Sequence, residues 1–396
     1  MKVAVVVDNE LDHDVRVQKE IKLYEHLGYD VSVVCFGFKG ETYTNHKIPV
    51  TRVEISRKLK NTFYFFNLIF PFYRRLWARA VCNFLKNKEF DIVHTHDLYM
   101  ALPVKKGIKK SGKSIPLVLD LHENYPIAYA SYSWVNKSAF RKFLTRPDKW
   151  KKLEKSYLEA ADGIIVLSDS FKDELCSKYP GLKNRKWFTL PNVQDLDSFG
   201  EPTEATIENN EQIVFLYFGV LGVRRGVFDV MDAFIDLQQR RQDIKLLLIG
   251  PLDKADRNLF EEKAKKLNET VFEYIPWVPQ NELLNYTQVS HVGLCPLHVN
   301  PQHESGVANK IFQYMYAGLP LLVSNCRPQM KIVLENDIGM VFSNQAALLS
   351  SIEAFADKKH EEVHAWGEKA HDVLISKYAL DSFKDGLHSF YQDLQK

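Results

Sequence analysis

The chain has 396 residues, 45% of them hydrophobic and 26% charged, with a formal net charge of +2. That length exceeds what one ordinary hydrophobic core serves and implies two domains. No apolar run approaches the ~18 residues of a membrane-spanning helix, and MKVAVVVDNE reads as a buried strand followed by charge, without the features of a signal peptide. Five scattered cysteines (Cys35, Cys82, Cys176, Cys295 and Cys326) include no C-x-x-C pair and read as reduced thiols of a cytoplasmic protein. The near-neutral total hides an asymmetry. Residues 1–200 carry 33 basic and 23 acidic side chains, whereas residues 201–396 carry 19 and 27. Most of the excess lies between 51 and 155, with 22 basic against 8 acidic residues. A basic half suggests an anionic surface or substrate, while the acidic half argues against nucleic acid as a general partner.

In chain order, KVAVVVD, DVSVVCF, FDIVHTH, IPLVLDL and DGIIVLS are β-rich runs of strand length. Helix-period segments lie between them, such as VRVQKEIKLYEHLG, which closes on Gly28. Continuous apolar strands separated by helices predict a parallel sheet covered on both faces. After the polar, acidic stretch GEPTEATIENNEQ, a linker centred near residue 205, the pattern restarts with VFLYFG, KLLLIG, VFEYIP, VGLCPL and PLLVSN. The expected organisation is two doubly wound Rossmann-like α/β domains, 1–200 and 201–380. A C-terminal helix, 381–396, carries an apolar stripe of Phe383, Leu387, Phe390, Tyr391 and Leu394 that needs a partner, with the first domain favoured. Open parallel sheets bind ligands at the carboxyl ends of their strands, so a cleft between two such sheets is the expected site.

Three strand-end stretches carry chemistry. In FGVLGVRRGVFDV, Gly219, Gly222 and Gly226 permit tight turns, Arg224 and Arg225 offer charged hydrogen bonds to phosphate, and a helix begins after Gly226. The same residues also fit a plain surface turn with solvated arginines. In HESGVANKIFQYMYAGLP, Ser305 and Gly306 precede a helix opening near Ala308, where free N–H groups and Lys310 suit a phosphate. Two anion-ready helix starts in one domain favour a diphosphate. In the first domain, His94, His96, Asp97, His122 and Glu123 fall at strand ends. H-x-H-D and H-E can look like metal ligands, but each is also what a polar rim looks like, and no third cluster completes a His/carboxylate set. No metal is expected. The absence of G-x-S-x-G argues against an α/β-hydrolase.

Taken together, DHDVRVQKE, FDIVHTHDLYMAL, LVLDLHENYP, EKSYLEAADGIIVLS, LPNVQDLDSF, FLYFGVLGVRRGVFDVMDAF, LLLIG, VGLCPL and NKIFQYMYAGLP resemble, in order and over nearly the whole length, the family 4 retaining glycosyltransferases of the GT-B fold. The resemblance implies a sugar transferred from a nucleotide-diphosphate sugar with retention of configuration, hexosyl transfer in type. No cofactor is implied, and the metal-free leaving group is stabilised by cations and a helix dipole. It places His122 at the donor sugar and reacting centre, Arg225 and Lys310 on the diphosphate, and Gln313 where a glutamate accepts from the ribose. Gly219, Gly222, Gly226, Glu304, Ser305 and Gly306 complete the donor side. Asp14, Arg16, His96, Asp97 and Glu123 are assigned to the acceptor side. The match departs from the family at Ser305, which stands where the first glutamate of an E-x7-E pair falls with Glu304 displaced by one, at Gln313, and at Val220, which replaces an arginine.

The acceptor side is read from residues 57–80 and 136–155, which mix aromatics with Arg57, Lys58, Lys60, Arg74, Arg75 and Arg79. Such segments suit a peripheral position on an anionic membrane surface and hence a lipid-linked polysaccharide precursor as acceptor. They also fit a core with a solvated charged face. Two further readings of the whole chain stand beside transfer. One is a nucleotide-sugar-binding protein with weakened turnover, and the other is a hydrolase or epimerase on the same fold.

Overall fold

A computed structural model describes residues 1–193, 195–196, 212–279 and 282–396. Apart from Gln212, the polar stretch expected as a linker lies outside the described residues. The chain divides into two compact units, Met1–Pro191 with Phe383–Lys396, and Asn192–Ser382. The sequence expectation was 1–200, 201–380 and 381–396.

The first unit is a seven-stranded parallel sheet of β1 (Lys2–Val6), β2 (Asp30–Phe38), β3 (Val50–Ile55), β4 (Ile92–His96), β5 (Leu117–Asp120), β6 (Gly163–Val166) and β7 (Lys186–Thr189), in the order β3-β2-β1-β4-β5-β6-β7. Its central strands are buried on both faces, which is why they read as unbroken apolar runs. The helix Val15–His26 starts where the Asp14 carboxylate accepts from Val17 N at 3.2 Å and ends before Gly28. The second unit repeats the design with β8 (Ile213–Phe218), β9 (Ile244–Ile249), β10 (Phe272–Ile275), β11 (Val292–Cys295), β12 (Leu321–Ser324) and β13 (Gly339–Phe342), in the order β10-β9-β8-β11-β12-β13. Both sheets are doubly wound. The strand order reverses between β1 and β4 in one and between β8 and β11 in the other, the places where such sheets take ligands.

Three strands were not read from the sequence: VTRVEI (β3), KWFT (β7) and GMVF (β13). All are edge strands with half-exposed residues, so none shows the continuous apolar signature. The last helix, Lys384–Gln395, begins three residues later than expected, after a 3-10 turn at Leu380–Phe383. It packs on the first unit. Leu387 and Tyr391 are fully buried, and Phe390 and Leu394 fill the space where Gly163 lacks a Cβ. Among the described residues no helix is long and apolar enough to cross a membrane.

Candidate functional site

In the second unit, the chain leaves β8 through Gly219, at φ +125°, and reaches a 3-10 turn, Val223–Arg225, before the helix Val227–Leu237. Gly226 closes this turn at φ +69°, and a Cβ there would lie 1.7 Å from the carbonyl oxygen of Pro296, just after β11. Only glycine permits that approach. Val223 N donates to the Asp256 carboxylate at 2.9 Å, which fixes the turn from its other side.

Facing the turn is the helix Asn309–Tyr316, which ends before Gly318. The Tyr314 hydroxyl donates to the Leu294 carbonyl and accepts from Phe218 N, both at 3.2 Å, pinning the helix to the ends of β8 and β11. Its N-cap, Ala308, provides no side-chain acceptor, so first-turn N–H groups remain for a ligand. Lys310 Nζ sits 3.4 Å from the centre of the Tyr217 ring and 3.3 Å from the position a Cβ on Gly219 would take. The residue is only partly buried, but its ammonium is desolvated. Burial, opposed by the Cys295 thiol and reinforced by the Arg225 charge, pulls its pKa down to about 7. Among the described residues neither Lys310 nor Arg225 has a carboxylate partner. The structure therefore brings Gly219, Gly226, Arg225 and Lys310 together, with Gln313 partly exposed one turn further on.

Two donor-side residues are engaged within the fold. The Ser305 N–H and hydroxyl both donate to the Gln302 carbonyl, at 3.4 and 2.7 Å, so that N–H is not free for phosphate. Glu304 is buried, and its carboxylate accepts from Arg327 N and Arg327 Nε. It is therefore spent on capping the helix Arg327–Asn336. Gly306, between Ser305 and the helix start, stays partly exposed.

In the first unit a buried charged cluster lies at the ends of β4 and β5. Arg16 Nη2 donates to both Asp120 oxygens at 3.1 Å, and Arg16 Nε donates to Glu20 at 3.1 Å. Burial opposes the Asp120 charge, but the Arg16 guanidinium and then His122 outweigh it and hold the carboxyl well below its usual range. Burial, followed by the neighbouring Asp120 charge, pushes Glu20 well above its own. The Arg16 guanidinium thus favours ionisation of Asp120 over that of Glu20. His94 Nδ1 meets the hydroxyls of Tyr24 and Tyr391 at 2.9 and 2.6 Å. His96 Nδ1 meets His122 Nε2 at 2.9 Å. Asp97 adopts φ +68°, ψ 134°, a strained conformation costing on the order of 1–3 kcal/mol and common at functional sites. Asp14 is used as a helix cap, and Glu123 accepts from the Tyr132 hydroxyl at 2.5 Å. Arg16, read from the sequence as an acceptor-side residue, is engaged in this ion pair.

Glu20, His94, His96 and Asp120 place ligand-type atoms within 4.8 Å of one another, as do Glu10, His13 and Glu41. In each group a guanidinium already engages the carboxylates: Arg16 in the first, and Arg57 in the second at 2.8 Å from Glu10 and 2.7 Å from Glu41. Sequence reasoning missed Glu20, Tyr24, Asp120 and Tyr391. Asp120 lies two residues before His122 in LVLDLHENYP, but its partner is 104 positions away and leaves no local trace.

The basic-aromatic segments divide. Tyr73, Trp77 and Trp150 are core residues, whereas Phe70, Phe72, Phe140 and Phe143 are 47–69% exposed. The helix Arg57–Phe65 buries none of its residues. With Trp134 and Arg141 it lines a groove of about 630 Å³ whose charged residues, Lys58, Lys60 and Arg141, are all basic.

Comparison with known proteins matches residues 16–198 to the model of Glycosyltransferase Family 4 and residues 201–373 to that of Glycosyl transferases group 1. A search of curated proteins finds no match. Similar solved structures include a trehalose-6-phosphate protein from E. coli bound with UDP-2-fluoro glucose (13% identity, 100% of this chain and 99% of that one, TM-score 0.71). Anabaena HepE in complex with UDP aligns at 12% identity over 99% and 100%, TM-score 0.67. The lipopolysaccharide outer core galactosyltransferase WaaB, in its apo form, aligns at 16% identity over 98% and 99%, TM-score 0.63.

Proposed function

The chain belongs to the group 1 glycosyltransferases of the GT-B fold, and from that premise we propose that it moves a hexosyl group from a nucleotide-diphosphate sugar to a lipid-linked or cell-surface polysaccharide precursor, with retention and without a catalytic metal. The observation that carries the proposal is the Lys310 ammonium. It is desolvated over Tyr217, beside the Gly219 turn and an uncapped helix start, and lacks an acidic partner among the described residues. A diphosphate supplies the missing counter-charge. As the sugar–oxygen bond breaks, charge develops on that diphosphate, and Lys310, Arg225 and the helix start stabilise it. Retention follows from a front-face, oxocarbenium-like path in which the acceptor attacks from the leaving-group side, so no carboxylate nucleophile is needed. His122 acts in the chemical step.

Two of the similar structures hold UDP or a UDP-sugar analogue, so uridine diphosphate sugars are the first donors to try. The acceptor class is supported by the groove of Lys58, Lys60 and Arg141 and by the exposed phenylalanines around it, chemistry that suits an anionic lipid surface. The test is calorimetric titration of a nucleoside-diphosphate panel. A charged hydrogen bond contributes about 1.5–3 kcal/mol, so Lys310→Ala and Arg225→Ala should each weaken binding more than tenfold. Unchanged affinity in both folded variants removes the site. Donor consumption with and without acceptor separates transfer from hydrolysis.

A further inference from the structure

The contact between His96 Nδ1 and His122 Nε2, 2.9 Å long, holds one proton, and the surroundings decide which ring owns it. If His122 donates, neutral His96 carries its own proton on Nε2. That atom is buried and has no hydrogen-bond partner. An orphaned buried N–H is among the rarest defects in folded proteins. If His96 donates from Nδ1, its Nε2 is only a bare lone pair, the more tolerated of the two defects.

Asp120 Oδ2 lies 3.8 Å from His96 Nδ1 and 3.6 Å from His122 Nε2, so its charge does not choose between the two nitrogens, and the orphaned Nε2 of His96 decides. A doubly protonated His96 is disfavoured, because burial, then the neighbouring His94 and His122, hold its pKa well below the usual value. Arg16 clamps Asp120 through both oxygens, and Tyr24 and Tyr391 hold His94 beside it, so the arrangement is rigid.

We propose that His96 is a positioning residue that fixes His122 as the Nδ1–H tautomer, so that His122 offers the sugar nucleotide a hydrogen-bond donor instead of a base. With Nε2 engaged inward as an acceptor, neutral His122 has its proton on the other nitrogen. A donor of this kind stabilises a substrate oxygen that gains negative charge, without itself losing a proton. The proposal rests on the placing of His122 at the chemical step, but the tautomer can be measured independently of it.

Long-range proton–nitrogen correlation spectra of 15N-histidine-labelled protein, assigned by loss of signal in His122→Asn, read the tautomer directly. The expected spectrum shows His122 protonated at Nδ1 and bare at Nε2. An Nε2–H tautomer in the wild-type protein overturns the proposal with no variant needed. His96→Leu removes the donor and should lower turnover at least tenfold, with nucleotide affinity within threefold. His96→Asn keeps an amide donor near the Nδ1 position and should recover most of that loss. Equal losses in the Leu and Asn variants, or none in either, also overturn it. If His122→Ala keeps full turnover while the tautomer is as expected, it is the catalytic reading of His122 that fails.

Discussion

Lys310 makes donor binding depend on pH in a direction that can be worked out. In the free protein its pKa is about 7, because the ammonium is buried against Tyr217 with no acidic partner. A diphosphate beside it favours the charged form and raises that value. Below pH 7 the free protein already carries the proton and binding needs none. Above pH 7 the proton must be taken up on binding, so affinity falls by up to about tenfold per pH unit until the raised pKa of the complex is passed. Between pH 7, where half of the free protein carries the proton, and pH 9 the loss approaches about fiftyfold. A nucleotide-sugar is the ligand to use, because a terminal phosphate has its own second pKa near ~6 and would add a competing slope. Calorimetry at pH 8 in buffers of different ionisation enthalpy should count close to one proton taken up per molecule bound. Lys310→Arg, charged throughout, should flatten the dependence and abolish the uptake. The unliganded protein should show the opposite trend. Between the folded pKa and the ~10.4 of an unfolded lysine, the unfolded chain holds the extra proton, so this residue's contribution to stability rises with pH. Affinity that stays constant from pH 7 to 9, with no proton uptake, refutes the reasoning.

Other outcomes follow from the same geometry. His122→Ala should cut turnover at least tenfold while nucleotide affinity stays within a few-fold, and added chelator should leave the rate unchanged; stopped-assay kinetics check both. Replacing Phe140 and Phe143 by serine should weaken co-sedimentation with anionic vesicles at low salt and spare nucleotide binding. Equal binding to neutral vesicles would mark the basic-aromatic face as a solvated surface only. Gln313→Glu should tighten nucleotide-sugar binding, and Gln313→Ala should weaken it. A charged acceptor gains on the order of 1 kcal/mol per bond over an amide, roughly five- to tenfold, and loss of binding in the Glu variant would show that the amide donates to the ligand.

How far the sequence could be read depended on range. The central strands were legible because a strand buried on both faces is apolar throughout, as in KVAVV and IVFLYF. β3, β7 and β13 were not, because edge strands are half-exposed. A helix end was legible at Gly28, where the chain takes positive φ after a periodic segment. Lys310 could be singled out because its place at a helix start is a local feature. The role of Arg16 could not. Its position near Asp14 says nothing of Asp120, 104 residues on, and the same holds for the engagement of Glu304 by Arg327. Side-chain pairing across a sheet is decided by tertiary packing, which leaves no period or motif behind.

The pairing of charges separates what holds the fold from what awaits a ligand. In the first unit Arg16 is saturated by Asp120 and Glu20, and the surplus acid, Glu20, is pushed toward its neutral form. That arrangement is internally compensated, and removing one partner would strand the other. In the second unit Arg225 and Lys310 come together with no carboxylate among the described residues to match them, and Lys310 is also desolvated. Keeping a lysine ammonium out of water costs free energy, which the unliganded protein reduces by letting the group lose its proton near neutrality. Such a defect has no value to the fold, since an aliphatic side chain on the same helix would pack over Tyr217 without it. It becomes favourable once an anion supplies the missing charge. The two basic residues therefore support the proposed donor phosphate site more firmly than the glycines that shape the turn, because the glycines would be required by the turn alone.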